Sequence, residues 1–178
     1  NINNGFSRRM LFDGVDDEVN LGNSTDFDAP TNIDVTFTVV EHVTTNHAFI
    51  SKGDDSTTNY AVDYNSGAVR FFGYDSGAPV GILSGGPSIS TLIPAKIRCT
   101  FDGTTWKIYK DDVMTTSLVD AATLTTNTSP VILGERTTRE LNGTMYDVSF
   151  GSFASYTGNG NTNADWTDQT GSNNGTVN

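Results

Sequence analysis

The chain has 178 residues, a formal net charge of −11 and a single cysteine, Cys99. The length predicts one domain; the acidity excludes a nucleic-acid groove, because phosphate binding needs clustered lysine and arginine; the lone cysteine excludes an internal disulfide. No apolar run approaches the length of a membrane span, so we predict no membrane insertion.

Apolar and polar residues alternate along much of the chain, a period of two that predicts β-strands. The clearest example is Ile33, Val35, Phe37 and Val39. In chain order the predicted strands lie near 9–13, 17–21, 33–43, 47–52, 59–64, 68–74, 79–83, 95–101, 105–110, 113–117, 130–134 and 142–150. Turn signals at short spacing separate them, which is typical of an antiparallel sandwich.

Two positions on these strands carry their own predictions. Cys99 shares a strand face with Ile97 and Phe101, so we expect a small buried hydrophobe. Asp111 and Asp112 stand in a hairpin turn, where aspartate adopts a left-handed conformation less readily than glycine. That turn is therefore predicted to be wider or strained.

The last stretch, 154–178, is rich in Gly, Asn and Thr and has few apolar anchors. Its composition predicts a tail, or a linker to a further module or a neighbouring subunit. The chain also begins at Asn1 rather than at Met. We expect either that a leader was removed or that this is a piece of a longer polypeptide.

Four stretches in a recognisable order resemble one known family. They are Leu11-Phe-Asp-Gly-Val-Asp-Asp-Glu-Val-Asn-Leu-Gly22, Phe49-Ile-Ser-Lys-Gly-Asp54, Thr100-Phe-Asp-Gly-Thr-Thr-Trp-Lys-Ile-Tyr109, and Val131-Ile-Leu-Gly134 running into Leu141-Asn-Gly-Thr-Met-Tyr-Asp-Val148. Together they are similar to the laminin-G-like branch of the concanavalin A-like lectin/glucanase superfamily. The resemblance covers roughly residues 10–153 and implies an all-β, two-sheet antiparallel jelly-roll sandwich, in a fold that hosts lectins, hydrolases and structural modules. We place the domain at residues 1–153.

Hydrolysis is the first of these activities to test against the residues. Retaining glycoside hydrolysis needs two carboxylates about 5–5.5 Å apart, and the laminarinase-type pattern is Glu-x-Asp-x-x-Glu. None of the glutamates stands in that pattern; they are Glu18, Glu41, Glu135 and Glu140. We therefore predict that the chain is not an enzyme.

Glu41 and His42 occupy positions where the family usually carries an aromatic pair. One interpretation makes them polar contacts for a ligand on a concave sheet. The other, which we favour, is a bulge or early strand end that turns both side chains to solvent.

A metal site is the next hypothesis. Calcium takes six to eight oxygen ligands, and the turn after the first strand is acidic, with Asp16 and Asp17 at its centre. In the family, the first and last strands often lie side by side with a structural calcium between them, and Asp147 occupies the acidic position of the last strand. The resemblance thus implies a calcium site from Asp16, Asp17 and Asp147, whereas a solvated turn explains the same residues. A second acidic patch, 53–55, is predicted to be only a turn.

Sugar binding would use exposed aromatic rings beside hydrogen-bonding side chains. Tyr74 and Trp106 lie near turn ends and are the predicted surface aromatics, and the polar candidates nearby in sequence are Arg70, Asn59 and Asp63. Two further arginines, at positions 136 and 139, either read an acidic glycan or pair with Glu135 and Glu140; we favour the pairing.

Two functions from different classes remain after these exclusions. The first is a lectin-like module that binds glycans, on the surface of a secreted protein or a virion, as in phage structural and bacterial surface proteins. The second is a structural decoration or assembly module of a virus particle or filament, whose partners are neighbouring protein subunits. Both place the chain in an extracellular or virion-surface setting.

Overall fold

The computed structural model describes residues 10–54, 57–157, 166–170 and 173–178. Sixteen strands and one short 3-10 helix, Thr25–Phe27, make up its regular structure. The strands are β1 Met10–Asp13, β2 Val19–Asn20, β3 Ile33–Glu41, β4 His47–Lys52, β5 Tyr60–Asn65, β6 Ala68–Asp75, β7 Ala78–Ile82, β8 Ala95–Phe101, β9 Thr105–Lys110, β10 Val113–Val119, β11 Val131–Leu133, β12 Glu135–Arg136, β13 Arg139–Glu140, β14 Asn142–Phe150, β15 Ala154–Tyr156 and β16 Thr176–Val177.

Two seven-stranded antiparallel sheets face each other, as the sequence predicted. Sheet A has the order β1-β14-β3-β8-β9-β10. The seventh strand, β15, pairs with a different part of β14 than β1 does. Sheet B has the order β16-β2-β11-β4-β5-β6-β7, and β12 and β13 form a separate hairpin. Consecutive strands pair from β4 to β7 and from β8 to β10. Other pairings, such as β3 with β14, join strands that are distant in sequence.

The core lies between the sheets and follows the alternation read in the sequence. Along β3 every second residue is buried, from Ile33 to Glu41, and Phe37 meets Phe49 of the opposite sheet at 5.1 Å between ring centroids. Burying one large apolar side chain contributes about 1.5–3 kcal/mol. Cys99 is buried as predicted, and burial raises the pKa of its thiol.

The hairpin turn at Asp111 and Asp112 is tight, with φ of 51° and 64°. Two residues in the left-handed region form a turn that suits Asn-Gly and strains other residues. The turn is therefore not wider than usual, and the prediction of backbone strain agrees with the observed angles.

The described part of 154–178 lies against the sandwich instead of forming a free tail. Ala154–Tyr156 pairs with β14, and Thr176–Val177 pairs with β2 at the edge of sheet B. Trp166 is fully buried. Residues 158–165 and 171–172 of this stretch lie outside the described residues, as do residues 1–9 of the predicted 1–153 domain and Asp55 of the predicted acidic turn. A linker to a further module or subunit stays a prediction.

Asp168 fastens this C-terminal segment to β15. Its carboxylate accepts hydrogen bonds from the backbone N–H groups of Ser155 at 3.0 Å, Thr170 at 3.0 Å and Asn173 at 3.3 Å. Several N–H donors on one carboxylate favour its charged form.

Candidate ligand-binding face

The outer face of sheet B brings charged and aromatic side chains together. In β5 and β6, Asp63 stands opposite Arg70, and Ala61 stands opposite Phe72. Because side chains alternate along a strand, Arg70, Phe72 and Tyr74 all project from the same face. Phe72 and Tyr74 contact each other edge to face, with centroids 6.5 Å apart.

The β12–β13 hairpin lies over β4 and borders this face. Its entry is Gly134, at φ +88°, where an added Cβ would come within 2.2 Å of the Phe12 ring, so only glycine lets the chain turn here. Ser51 of β4 donates its hydroxyl to the backbone oxygen of Glu135 at 3.0 Å. In the hairpin register Arg136 stands opposite Arg139.

Arginines of the hairpin reach the side chains of β5 and β6. Arg139 Nη1 donates to Asp63 Oδ2 at 3.2 Å. Arg70 holds the same carboxylate bidentately, through Nε at 2.7 Å to Oδ1 and through a short bond from Nη2 to Oδ2. Arg136 lies over the Phe72 ring at 5.3 Å, and Arg70 lies over it at 5.1 Å. We call this group the arginine face; it comprises Asp63, Arg70, Phe72, Tyr74, Arg136 and Arg139.

The hairpin's glutamates occupy the alternate positions. Glu135 stands opposite Glu140, and burial together with the nearby Glu18 and Glu140 carboxylates raises the pKa of Glu135. The expectation that Arg139 pairs with these glutamates is wrong, because alternation turns it toward Asp63.

Three of the five predicted glycan residues lie on the arginine face. Arg70 and Asp63 contact each other directly, and Tyr74, half-buried, lies four residues from Arg70 along β6. Asp63 itself is fully buried, so it orients the arginines and does not meet solvent.

Trp106 is not a surface aromatic; that prediction is wrong. The side chain is 0% exposed, and its ring stacks on Phe101 at 4.1 Å. Its Nε1–H donates to the backbone oxygen of Asp120 at 2.9 Å, which satisfies the indole inside the core.

Asn59 is also removed from the candidate site. It is fully buried and ties two loops together. Its amide nitrogen donates to the backbone oxygens of Ala29 at 3.3 Å and Thr125 at 3.0 Å, while its oxygen accepts from the Ala29 N–H at 3.0 Å. Because these bonds occupy both the nitrogen and the oxygen of the Asn59 amide, the side chain has a structural role.

The structure does not bring the predicted calcium ligands together. β1 and β14 are neighbours, as the resemblance implied, but Met10 stands opposite Met145 and Asp13 opposite Asn142. Asp147 therefore extends past the Met10 end of β1, whereas Asp16 and Asp17 follow its other end. Asp17 instead accepts the backbone N–H of Asp13 at 2.8 Å, as in a capped turn. Among the described residues, no three His, Cys, Asp or Glu side chains come close enough to hold a metal ion.

Glu41 does not turn to solvent; that prediction is wrong. It continues the inward alternation of β3 and is fully buried, with Oε1 3.0 Å from His47 Nε2. The opposite ring nitrogen of His47, Nδ1, contacts the Thr45 backbone oxygen at 2.7 Å. His42 is half-buried, 3.3 Å from the Thr144 hydroxyl. The ligand-contact interpretation fails for Glu41, because the residue lies between the sheets.

None of the helices in the described residues has the length and apolarity needed to cross a bilayer.

Solved structures of concanavalin A-like jelly-roll domains resemble this sandwich. Domains LG4-5 of the mouse laminin alpha1 chain match with a TM-score of 0.59 at 12% identity, over 82% of this chain and 42% of that one. The CBM40 module of Ruminococcus gnavus IT-sialidase, bound to alpha2,3 sialyllactose, matches with a TM-score of 0.57 at 9% identity, over 80% and 90% of the two chains. A heptameric SAP-like pentraxin from Limulus polyphemus matches with a TM-score of 0.53 at 10% identity, over 78% and 76%.

At these identities the likeness establishes the fold alone, a two-sheet antiparallel jelly-roll sandwich like that of concanavalin A-like domains, which is the fold that the sequence motifs implied. The chain spans less than half the length of the laminin chain that it matches. No protein-family model matches the sequence, and no curated protein matches it.

Proposed function

We propose that this chain is a non-catalytic, lectin-like module that binds glycans on the arginine face, in an extracellular or virion-surface setting. The observation that carries the proposal is the combination of a half-buried aromatic ring, Tyr74, with the guanidinium groups of Arg70 and Arg139 on one sheet face. Aromatic rings stack on sugar rings, and arginines supply directed donors to sugar oxygens. The fold supports the proposal by analogy, since CBM40, a carbohydrate-binding module, shares it.

The carboxylate on this face, Asp63, supports a binding role more than a hydrolytic one. It is buried between two arginines. It is therefore not placed as a free acid or base where a glycosidic bond could reach it.

The test is a glycan-array screen of the folded chain, run once in millimolar calcium and once in chelator. We expect specific binding that is weakened in Tyr74→Ala. The matched control is Tyr109→Ala, which removes a half-buried tyrosine from the outer face of sheet A, where it lies 5.6 Å beneath Arg98. Loss of binding on chelation would place a calcium ion at or beneath the site. Silence in both buffers would remove the lectin proposal.

A second candidate function, assembly, rests on the edge strand β10. Among the described residues β10 ends sheet A, pairing only with β9. It carries no charge and exposes Val113, Met114 and Val119, the last at 79%. Exposed apolar edges are templates for strand pairing, and the occupant we infer is a second copy paired antiparallel about a two-fold axis.

Sedimentation equilibrium tests this second candidate. A dimer that becomes monomeric in Val119→Lys would support it, because a charge on an edge strand blocks edge-to-edge pairing. A monomer at all concentrations would remove it.

A further inference from the structure

We propose that the ligand of the arginine face is an acidic glycan, bound through its carboxylate by outward N–H groups of Arg70 and Arg139. Asp63 acts as a positioning residue for both guanidinium groups. The inference rests on the proposed glycan-binding function and names the ligand class for that face.

The first support is the number of donors left over after Asp63 is satisfied. A guanidinium carries five N–H donors in a fixed planar fork. Arg70 directs two of them to Asp63, and Arg139 directs one. The side chains of Arg70 and Arg139 are 19% and 31% exposed, so the remaining donors can meet a ligand while Asp63 holds the two planes in place.

The second support is charge. Two cations share one carboxylate, so the group of Asp63, Arg70 and Arg139 carries a net charge of plus one (2 − 1) in a chain whose net charge is −11. One bidentate arginine already balances the charge of a buried aspartate. The second arginine is therefore more than charge balance at Asp63 requires.

The third support is concentration of arginine on one face. The described residues include four arginines, and three of them belong to the arginine face; the fourth is Arg98, on sheet A. The planar fork matches carboxylates better than neutral hydroxyls, because it donates two parallel charge-assisted bonds. Asp63 shows that a carboxylate fits between Arg70 and Arg139.

The arginine pair and the Tyr74 ring lie at different positions along β6, so the arginine face can orient a ligand. Arg70 and Tyr74 are four residues apart on β6, or about 13 Å at the rise of an extended strand. A ligand with its acidic sugar at Arg70 and Arg139 would place a following sugar toward the Tyr74 ring. The arrangement fits an acidic oligosaccharide better than an isolated anion.

The experiment is isothermal titration calorimetry of the full chain with paired ligands. One pair is alpha2,3-sialyllactose and lactose; the other is a galacturonic acid trisaccharide and the corresponding neutral galactose trisaccharide. We expect the acidic member of at least one pair to bind at least about tenfold more tightly. The pair that responds tells whether the carboxylate belongs to a sialic acid or to a uronic acid.

Two variants separate a local contact from a general charge effect. Arg139→Gln removes one positive charge from the arginine face and leaves Asp63 paired with Arg70. The matched control, Arg98→Gln, removes one positive charge from sheet A, where Arg98 is also bidentate to an aspartate, Asp34, at 2.9 and 2.7 Å. Arg139→Gln should lose about 10- to 100-fold in affinity for the acidic ligand, whereas Arg98→Gln should stay within about twofold of the parent.

The other possible results would overturn either the acidic-ligand inference or the proposed glycan-binding function. Neutral and acidic members binding equally, or Arg139→Gln binding as the parent does, would overturn the acidic-ligand inference and leave a neutral lectin. Equal losses in the two variants would overturn it as well, since they would indicate non-specific attraction. Folded protein that binds none of these ligands and no array glycan would overturn the proposed function itself.

Discussion

The buried pair of Glu41 and His47 offers the sharpest test of the energetics of this fold. Both side chains are 0% exposed, and the Oε1–Nε2 distance is 3.0 Å. The His47 ring is stacked on Tyr64 at 5.5 Å and meets Phe49 edge to face at 4.9 Å. Neither Glu41 oxygen accepts a well-aligned hydrogen bond within the described part of the chain. The pair is thus close, dry and poorly hydrogen-bonded.

These observations predict strong coupling between two substitutions. His47→Phe leaves the buried Glu41 carboxyl group without its polar partner and should cost about 3–5 kcal/mol of unfolding free energy. Glu41→Met leaves one ring nitrogen unsatisfied and should cost about 1–3 kcal/mol. The double variant replaces both polar groups by apolar ones of similar volume, and should stay within about 1 kcal/mol of the parent or exceed it.

The assay is equilibrium unfolding in urea, followed by tryptophan fluorescence, for the four proteins of the double-mutant cycle. At roughly 2–4 °C per kcal/mol for a domain of this size, His47→Phe should also lower Tm by roughly 6–20 °C. Costs that simply add in the double variant would refute the reasoning, because uncoupled residues give additive changes. A His47→Phe cost below about 1 kcal/mol would refute it too, since it would mean that Glu41 is not confined in a dry site.

Three further predictions concern a turn and two carboxylates. Replacing the hairpin turn by Asn-Gly, as Asp111→Asn with Asp112→Gly, should stabilise the fold by about 0.5–1 kcal/mol in urea unfolding, since the left-handed strain is relieved; a loss of stability would contradict this. Burial acts to raise the pKa of Asp168, but hydrogen bonds from backbone N–H groups outweigh it and lower that pKa. The ionised carboxylate therefore stabilises the fold at pH values above the ordinary aspartate pKa, and this stabilisation is lost as pH falls through the lowered value. Asp168→Ala should therefore speed hydrogen exchange of the backbone at residues 166–170 and 173–178 at neutral pH, and unchanged exchange would count against this reasoning. Burial and the Glu18 carboxylate raise the pKa of Glu135, so ionisation of Glu135 destabilises the fold as pH rises above the ordinary glutamate pKa. Glu135→Gln should therefore raise Tm at pH 7 but not at pH values below the ordinary glutamate pKa. An equal gain in Tm at both pH values would exclude this cause.

Strand positions were predictable because alternation and turn residues are local signals. The predicted strands at 47–52, 95–101, 105–110 and 142–150 coincide with the observed β4, β8, β9 and β14. The two-residue strands of the β12–β13 hairpin and the pairings of β15 and β16 were missed. Strands of two or three residues carry no readable period, and they exist only because a neighbouring strand supplies their hydrogen bonds.

The candidate site was predictable only in part, for a related reason. Arg70 and Asp63 were found because they are close in sequence and lie on adjacent strands of one hairpin. Trp106 was misplaced because a turn-end position says nothing about which loop will cover the ring. Sequence proximity predicts that Arg139 pairs with the neighbouring glutamates, whereas the hairpin register brings it to Asp63, 76 residues earlier in the chain.

Glu41 illustrates the boundary between the two kinds of information. Local alternation placed the residue on the inward face of β3, yet its charge favoured solvent, and nothing local identified a partner. The partner is His47, brought across by the packing of sheet B on sheet A.

By itself, the sequence determined the all-β class, most strand positions, the burial of Cys99 and the jelly-roll resemblance, because side-chain alternation, turn chemistry and the spacing within short motifs act over a few residues. The tertiary structure alone decided which charges meet, which aromatic rings are covered and which sheet face carries the arginines. Those outcomes depend on strand register and loop placement, which pair residues that no local pattern assigns to each other, such as Arg139 and Asp63, 76 positions apart.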